Sequence, residues 1–259
     1  MNVLMLGDIF GRPGRKIVTE YLPELKERFQ PELVVANGEN AAGGFGLTRK
    51  VAEELFALGI DVLTSGNHIW DQKEMLTYIG EEARILRPAN YPPGVPGTSV
   101  FIHRGQDCVI AVLNLMGRVF MADYDCPFRT TDQLLEGLPE DVTHVLVDFH
   151  AEATSEKVAF ARYLDGRVSA VVGTHTHVAT ADEQIMPKGT AYVTDLGMCG
   201  PIHGILGVEP DVVIEKFLTQ LPTRFSVAKG PSILTGVVIT LKNDGTAEGI
   251  VRLNFEKFS

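Results

Sequence analysis

The sequence predicts an α/β fold arranged as a two-sheet sandwich with mixed sheets, and three features predict it. Apolar, β-branched runs such as Ser169–Val172 stop at a glycine and alternate with helical segments, the pattern of buried strands joined by helices. Strands over 99–103 and 108–115 are joined only by Arg104-Gly105-Gln106-Asp107, a hairpin loop too short for a crossover helix. A last pair, 233–241 and 247–254, alternates around Asn243-Asp244-Gly245-Thr246, a second hairpin signature. Pairing without helices excludes a purely parallel sheet, so a sandwich fits better than one doubly wound sheet.

At 259 residues and 45% hydrophobic, the chain suits a single domain over 1–259 with a sizeable core. A net charge of −10 argues against a groove that grips long nucleic acid by its phosphates. Small anions stay open as substrates if bound metal supplies local positive charge. Three widely spaced cysteines, Cys108, Cys126 and Cys199, form no CxxC pair, which points to a reducing, cytoplasmic setting and away from a thiolate zinc site. Met1–Leu6 is too short for a signal core, and no run approaches the roughly 20 apolar residues of a membrane span.

Asn2–Leu6 reads as the first strand, followed by the turn-rich loop Gly7-Asp8-Ile9-Phe10-Gly11-Arg12-Pro13-Gly14. Asp8 stands at that strand's end, and its structural alternative is to cap a helix over 15–28 that Pro23 kinks or breaks. A second strand over 32–36 ends in Asn37-Gly38-Glu39-Asn40, a carboxylate beside a carboxamide fenced by glycines, as a hard-metal site requires. Thr48 caps a helix through Leu58, and a third strand over 60–64 runs into Ser65-Gly66-Asn67-His68. Residues 72–79 form a short helix, and 116–127 has no period, a binding loop or packed surface carrying Phe120 and Tyr124.

A strong strand over 144–149 delivers His150 to its end, with Thr154 or Ser155 capping the next helix. The strand into Gly173-Thr174-His175-Thr176-His177 follows, and its two imidazoles at i and i+2 point the same way in extended backbone. Another strand over 191–194 leads to a loop over 197–204 that holds His203. Residues 209–221 are a helix with acidic residues at its start.

Collected, Asp8, Glu39, Asn40, Asn67, His68, His150, His175 and His177 all follow strands, five separate ones, where pockets form in α/β sheets. Imidazole, carboxylate and carboxamide without thiolate suit iron, manganese or zinc. So many donors exceed one ion's need; two ions roughly 3.5–4 Å apart, bridged by a carboxylate and a hydroxide, would use them all and suit in-line attack on phosphorus. A neighbouring imidazole such as His68 could protonate the departing oxygen, with Asp71 three residues on to orient it.

Gly7-Asp8, Gly66-Asn67-His68 and Gly173-Thr174-His175-Thr176-His177 resemble the signature of the calcineurin-like metallophosphoesterases. Two positions depart from it: Phe10 stands at the usual histidine, and Gly38-Glu39-Asn40 replaces the bridging-aspartate motif. With the long runs 7–15, 37–40 and 148–157, those departures are similar to the YmdB-like branch, over nearly the whole chain. The resemblance implies an α/β/β/α sandwich of the metallophosphoesterase type and a pair of metal ions, iron or manganese first and zinc third. It implies phosphodiesterase activity on small cyclic nucleotides, 2′,3′-cyclic ones first and 3′,5′-cyclic AMP second. By position it assigns Asp8, Asn40 and His177 to one metal, Asn67, His150 and His175 to the other, Glu39 as the bridge and His68 as the acid. A non-catalytic nucleotide sensor acting through a protein partner is the alternative from another class, a metal-dependent carboxylic ester or amide hydrolase a third, and a homo-oligomer stays open.

Overall fold

Alternation within single strands builds the layers. In β1 (Asn2–Leu6), Leu4 and Leu6 pack with Ile17, Val18, Leu22 and Leu25 of helix α1 (Gly11–Phe29), while Val3 and Met5 join a second core. Successive side chains of a strand point to opposite faces, so a strand apolar at every position must be covered on both. That second core lies between two sheets, where Val35 meets Val112 and Val172. A third core packs Leu113, Val147 and Val171 against Phe160, Ala161 and Leu164 of α5 (Thr154–Leu164). The computed structural model, which describes residues 1–257, is thus the α/β/β/α sandwich that the sequence predicts.

The first sheet has seven strands: β1, β2 (Asp8–Ile9), β3 (Leu33–Asn37), β4 (Val62–Thr64), β11 (Met198–Pro201), β12 (Ser232–Leu241) and β13 (Ala247–Lys257). The second has six: β5 (Val100–Arg104), β6 (Val109–Met116), β7 (His144–His150), β8 (Ala170–Thr174), β9 (Gln184–Ile185) and β10 (Ala191–Val193). β1, β3 and β4 are parallel, as are β6, β7, β8 and β10, so within each sheet the carboxyl ends share one rim. β5 pairs antiparallel with β6, which makes the sheet mixed at the predicted hairpin. β12 gives one edge to β13 along its length and divides the other between β1 and β11, so the C-terminal hairpin extends a sheet edge as its pattern predicts.

The remaining helices are α2 (Arg49–Ala57), α3 (Met75–Tyr78), α4 (Pro127–Glu136) and α6 (Pro210–Thr219). Thr48 caps α2 as predicted, its hydroxyl accepting from the Val51 N–H at 3.3 Å. Four details differ from the sequence reading. Asp8 does not cap α1; the capping position is Phe10, without a side-chain bond. Pro23 does not interrupt α1, because it and Thr19, whose carbonyl it leaves without a helical donor, both face solvent. Neither Thr154 nor Ser155 caps α5, which starts from Ala153. The loop over 197–204 contains strand β11, which pairs with β2 and β12. Among the described residues, no helix is long and apolar enough to cross a membrane.

Candidate metal centre

Five strand ends deliver the predicted side chains to one place. Asp8 lies in β2, Glu39 and Asn40 follow β3, Asn67 and His68 follow β4, His150 ends β7, and His175 and His177 follow β8. Glycine makes the approach of these loops feasible: a Cβ on Gly66 would sit 2.2 Å from the His150 ring, and one on Gly173 would sit 1.8 Å from the Thr194 carbonyl oxygen. His175 and His177 do not take the extended backbone expected from the sequence but φ of 101° and 63°, a region that β-carbon-bearing residues occupy at a cost of order 1–3 kcal/mol. A buried ion pair beneath the loop holds them there. Lys157 Nζ donates to Asp195 Oδ2 at 2.6 Å and to the Thr174 carbonyl at 2.9 Å. The same Asp195 oxygen accepts from the Thr176 N–H at 3.1 Å and hydroxyl at 2.8 Å.

His150 Nε2 is the hub: Glu39 Oε1 lies 3.1 Å away, Asn67 Oδ1 3.1 Å and His175 Nδ1 3.0 Å. Donor atoms of Glu39, His150 and His175 all fall within 4.8 Å of one another. The other Glu39 oxygen accepts from the His68 N–H at 3.0 Å. Beside this cluster, His177 Nε2 lies 3.2 Å from Asn40 Nδ2 and 3.9 Å from Asp8 Oδ1. Asn40 Nδ2 also donates to Glu39 Oε1 at 3.3 Å, which joins the two groups through one carboxylate. A cavity of about 270 Å3 opens over them, lined by Glu39, Asn40, His68, His175 and His177.

Outer partners fix which nitrogen of each imidazole faces the cluster. His177 Nδ1 donates to the Leu206 carbonyl at 3.1 Å, which leaves its Nε2 lone pair pointing inward. His175 Nε2 faces Glu152 Oε2 at 3.0 Å, so its Nδ1 points inward. Thr174 spends its hydroxyl proton on Asp148 at 2.7 Å and accepts from His150 Nδ1 at 3.0 Å, which again turns Nε2 to the cluster. In all three histidines an outer partner therefore takes one ring nitrogen and turns the other toward the cluster.

The profile of the YmdB-like protein family matches residues 4–253. The chain belongs to the YmdB-like family. A 2′,3′-cyclic-nucleotide 2′-phosphodiesterase of Bacillus subtilis is 48% identical over 250 residues, 96% of this chain and 94% of that protein. A crystal structure of a hypothetical protein from Thermus thermophilus superposes with a TM-score of 0.94 at 42% identity, covering 99% of this chain and all of that one. A phosphatase structure from Mycoplasma pneumoniae gives the same TM-score of 0.94 at 34% identity, covering 100% of this chain and 94% of that one. More distant, the Haemophilus influenzae NAD nucleotidase NadN shares the fold alone, with a TM-score of 0.62 at 13% identity over 100% of this chain and 56% of its own.

In this member of the YmdB-like family, Phe10 fills the place where the wider signature has a histidine, and its ring meets His177 edge-on at 5.4 Å between centroids. It packs in a small apolar cluster with Met198, Val208 and Val213, and so shapes the cavity wall. His68 donates from Nδ1 to Asp71 Oδ2 at 2.8 Å, as the spacing predicts, and its ring meets Phe45 edge-on at 5.3 Å. Asp148, Glu152 and Lys157 stand in the run 148–157 that carries the resemblance, yet neither they nor Asp195 receive a role from the sequence. The nearest available signal was the run Asp148-Phe149-His150-Ala151-Glu152, in which Asp148 and Glu152 flank His150 at two residues on either side. His103 pairs with Glu32 at 2.8 Å, and His144 donates to the Lys242 carbonyl at 2.7 Å, both away from the cavity. Neither His203 nor Phe120 lines the cavity.

The electrostatics ask for a cation. Asp8 is 0% exposed, and its Oδ1 has no hydrogen-bond partner, a burial that costs about 1–3 kcal/mol unless something positive meets it. Burial pushes the Asp8 carboxyl well above its usual range, against the pull of His150. Burial alone would raise Glu39 too, but the adjoining His150 imidazole together with His68 outweighs it and holds the carboxyl at about 2. For His150, burial disfavours the charge, and Glu39 with Asp8 and Asp148 more than restores it, lifting the imidazole to about 9. Burial, reinforced by His150, drives His175 down to about 3, and burial lowers His177 as well. No lysine or arginine lines the cavity, so hard cations fit both the donor set and the unpaired Asp8 oxygen.

Proposed function

We propose that this protein is a two-metal phosphodiesterase that opens 2′,3′-cyclic nucleotides, with 3′,5′-cyclic AMP as a second candidate substrate. That it hydrolyses phosphoric diesters accords with its family and with the names of its relatives. The observation that carries the finer reading is the convergence of five strand ends on a buried carboxylate with one unpartnered oxygen. Asp8, Asn40 and His177 would hold one ion, Asn67, His150 and His175 the other, with Glu39 between them. Iron or manganese suits these nitrogen and oxygen donors, zinc next. When bound, the ions neutralise phosphoryl charge and lower the pKa of water.

The chain's own residues supply the rest. A water oxygen bonds to phosphorus and releases its proton to solvent as the bond to the ribose O2′ breaks, and the leaving oxygen takes a proton from His68. Asp71 occupies Nδ1 of that ring and leaves Nε2 to hold the proton. Glu152 keeps His175 in register and the Lys157–Asp195 pair keeps the loop in place. The three free cysteines agree with a cytoplasmic site of action.

Product analysis of 2′,3′-cyclic AMP hydrolysis tests the reading. Adenosine 3′-monophosphate is the expected product, and formation of the 2′-monophosphate instead would reverse the assigned leaving group. Tight binding with no turnover would favour the sensor reading.

A further inference from the structure

The segment over 225–230 has a cavity on each flank. Phe225 lines the one over the metal centre, whereas Val227, Ala228, Lys229 and Gly230 line a second, of about 490 Å3, against the first turns of α1. Four cations border it, Arg12, Lys16, Lys229 and Lys257, with one acid, Glu20. Glu20 is already matched, because Lys257 Nζ lies 2.5 Å from each of its oxygens. Among the described residues, Arg12, Lys16 and Lys229 enter no ion pair.

That shortage of acid is local. The chain carries 33 acidic residues against 23 basic ones, yet leaves three cations unpaired around one concavity. Arg12 and Lys16 are four apart on α1 and share a face, where like charges destabilise a helix by a few tenths of a kcal/mol. No acidic residue stands in the first turn of α1 to offset the positive end of its dipole. Each choice is unfavourable without an anion, and together they converge on one volume. The floor is apolar, from Pro13, Ile17 and Val227, so the cavity offers a surface to a carbon skeleton as well as charge to its head.

We propose that this cavity binds the phosphoryl group of a small phosphomonoester of nucleotide size. Its volume lies within the roughly 300–1,000 Å3 of small-molecule sites. Arg12 offers a planar fork suited to two phosphate oxygens, with Lys16 and Lys229 as point charges beside it. Phosphomonoesters are also the class of product that phosphodiester hydrolysis releases. The site does not depend on which cyclic nucleotide the metal centre takes, since it is built from different residues.

The test is calorimetric titration of the metal-loaded full-length chain with adenosine 3′-monophosphate and, separately, inorganic phosphate. One site per chain beyond any at the metal centre is expected. Lys16→Glu and Lys229→Glu, both at exposed positions, should weaken that site by about tenfold or more and leave turnover of 2′,3′-cyclic AMP unchanged. Tighter binding of the nucleotide than of free phosphate is the expected result, and equal binding would overturn the assignment to a ligand of nucleotide size. No site outside the metal centre, or wild-type affinity in both variants, overturns the proposal.

Discussion

At Asp8, stability and function pull in opposite directions. The carboxylate is buried with an unpartnered oxygen, a cost that a bound cation would offset. Asp8→Asn should therefore stabilise the metal-free chain by about 1 kcal/mol in denaturant titrations, while lowering turnover of the metal-loaded enzyme at least on the order of 100-fold. His68→Ala makes the opposite separation. Turnover should fall roughly 10²–10⁴-fold, most for esters with poor leaving groups, with metal content unchanged; an equal loss for every leaving group would remove the acid role. The residues that bear on these predictions were legible in the sequence because metal-competent types stand at strand ends, where ligands gather. Glu152 was not legible, because a half-exposed glutamate acquires meaning only once His175 is seen 3.0 Å away.

Among the elements, the loop after β8 depends most on what lies beneath it. Lys157 of α5 is 1% exposed and reaches Asp195 after β10, so residues from separate elements fix the strained φ of His175 and His177. Lys157→Met strands the Asp195 carboxylate and should cost about 3–5 kcal/mol of stability by denaturant titration. The two hairpins, the buried strands and the Thr48 cap could be read directly, since turn chemistry and period are local signals. Strand β11 could not: Met198-Cys199-Gly200-Pro201 has neither length nor alternation, and it is a strand only because β2 and β12 flank it. Pro23 misled for a related reason, since its cost depends on which way the freed carbonyl faces.

For the molecule as a whole, the sandwich brings the carboxyl rims of two sheets to one centre, where protons would compete with metal ions. His150 lies at about 9, above its ordinary 6.5, so its charged form stabilises the metal-free fold fully below 6.5 and that contribution is lost as pH rises through about 9. A bound cation would take the nitrogen that carries this proton. Metal affinity should therefore rise with pH up to about 9, and binding near neutral pH should release at least about one proton per chain, read by calorimetry in buffers of different ionisation enthalpy. The most direct test of the central claim is elemental analysis of the purified chain, paired with 2′,3′-cyclic AMP hydrolysis before and after chelation. About two ions per chain, with turnover lost on chelation and restored by iron or manganese, is the predicted result. Full turnover in protein stripped of metal would contradict it.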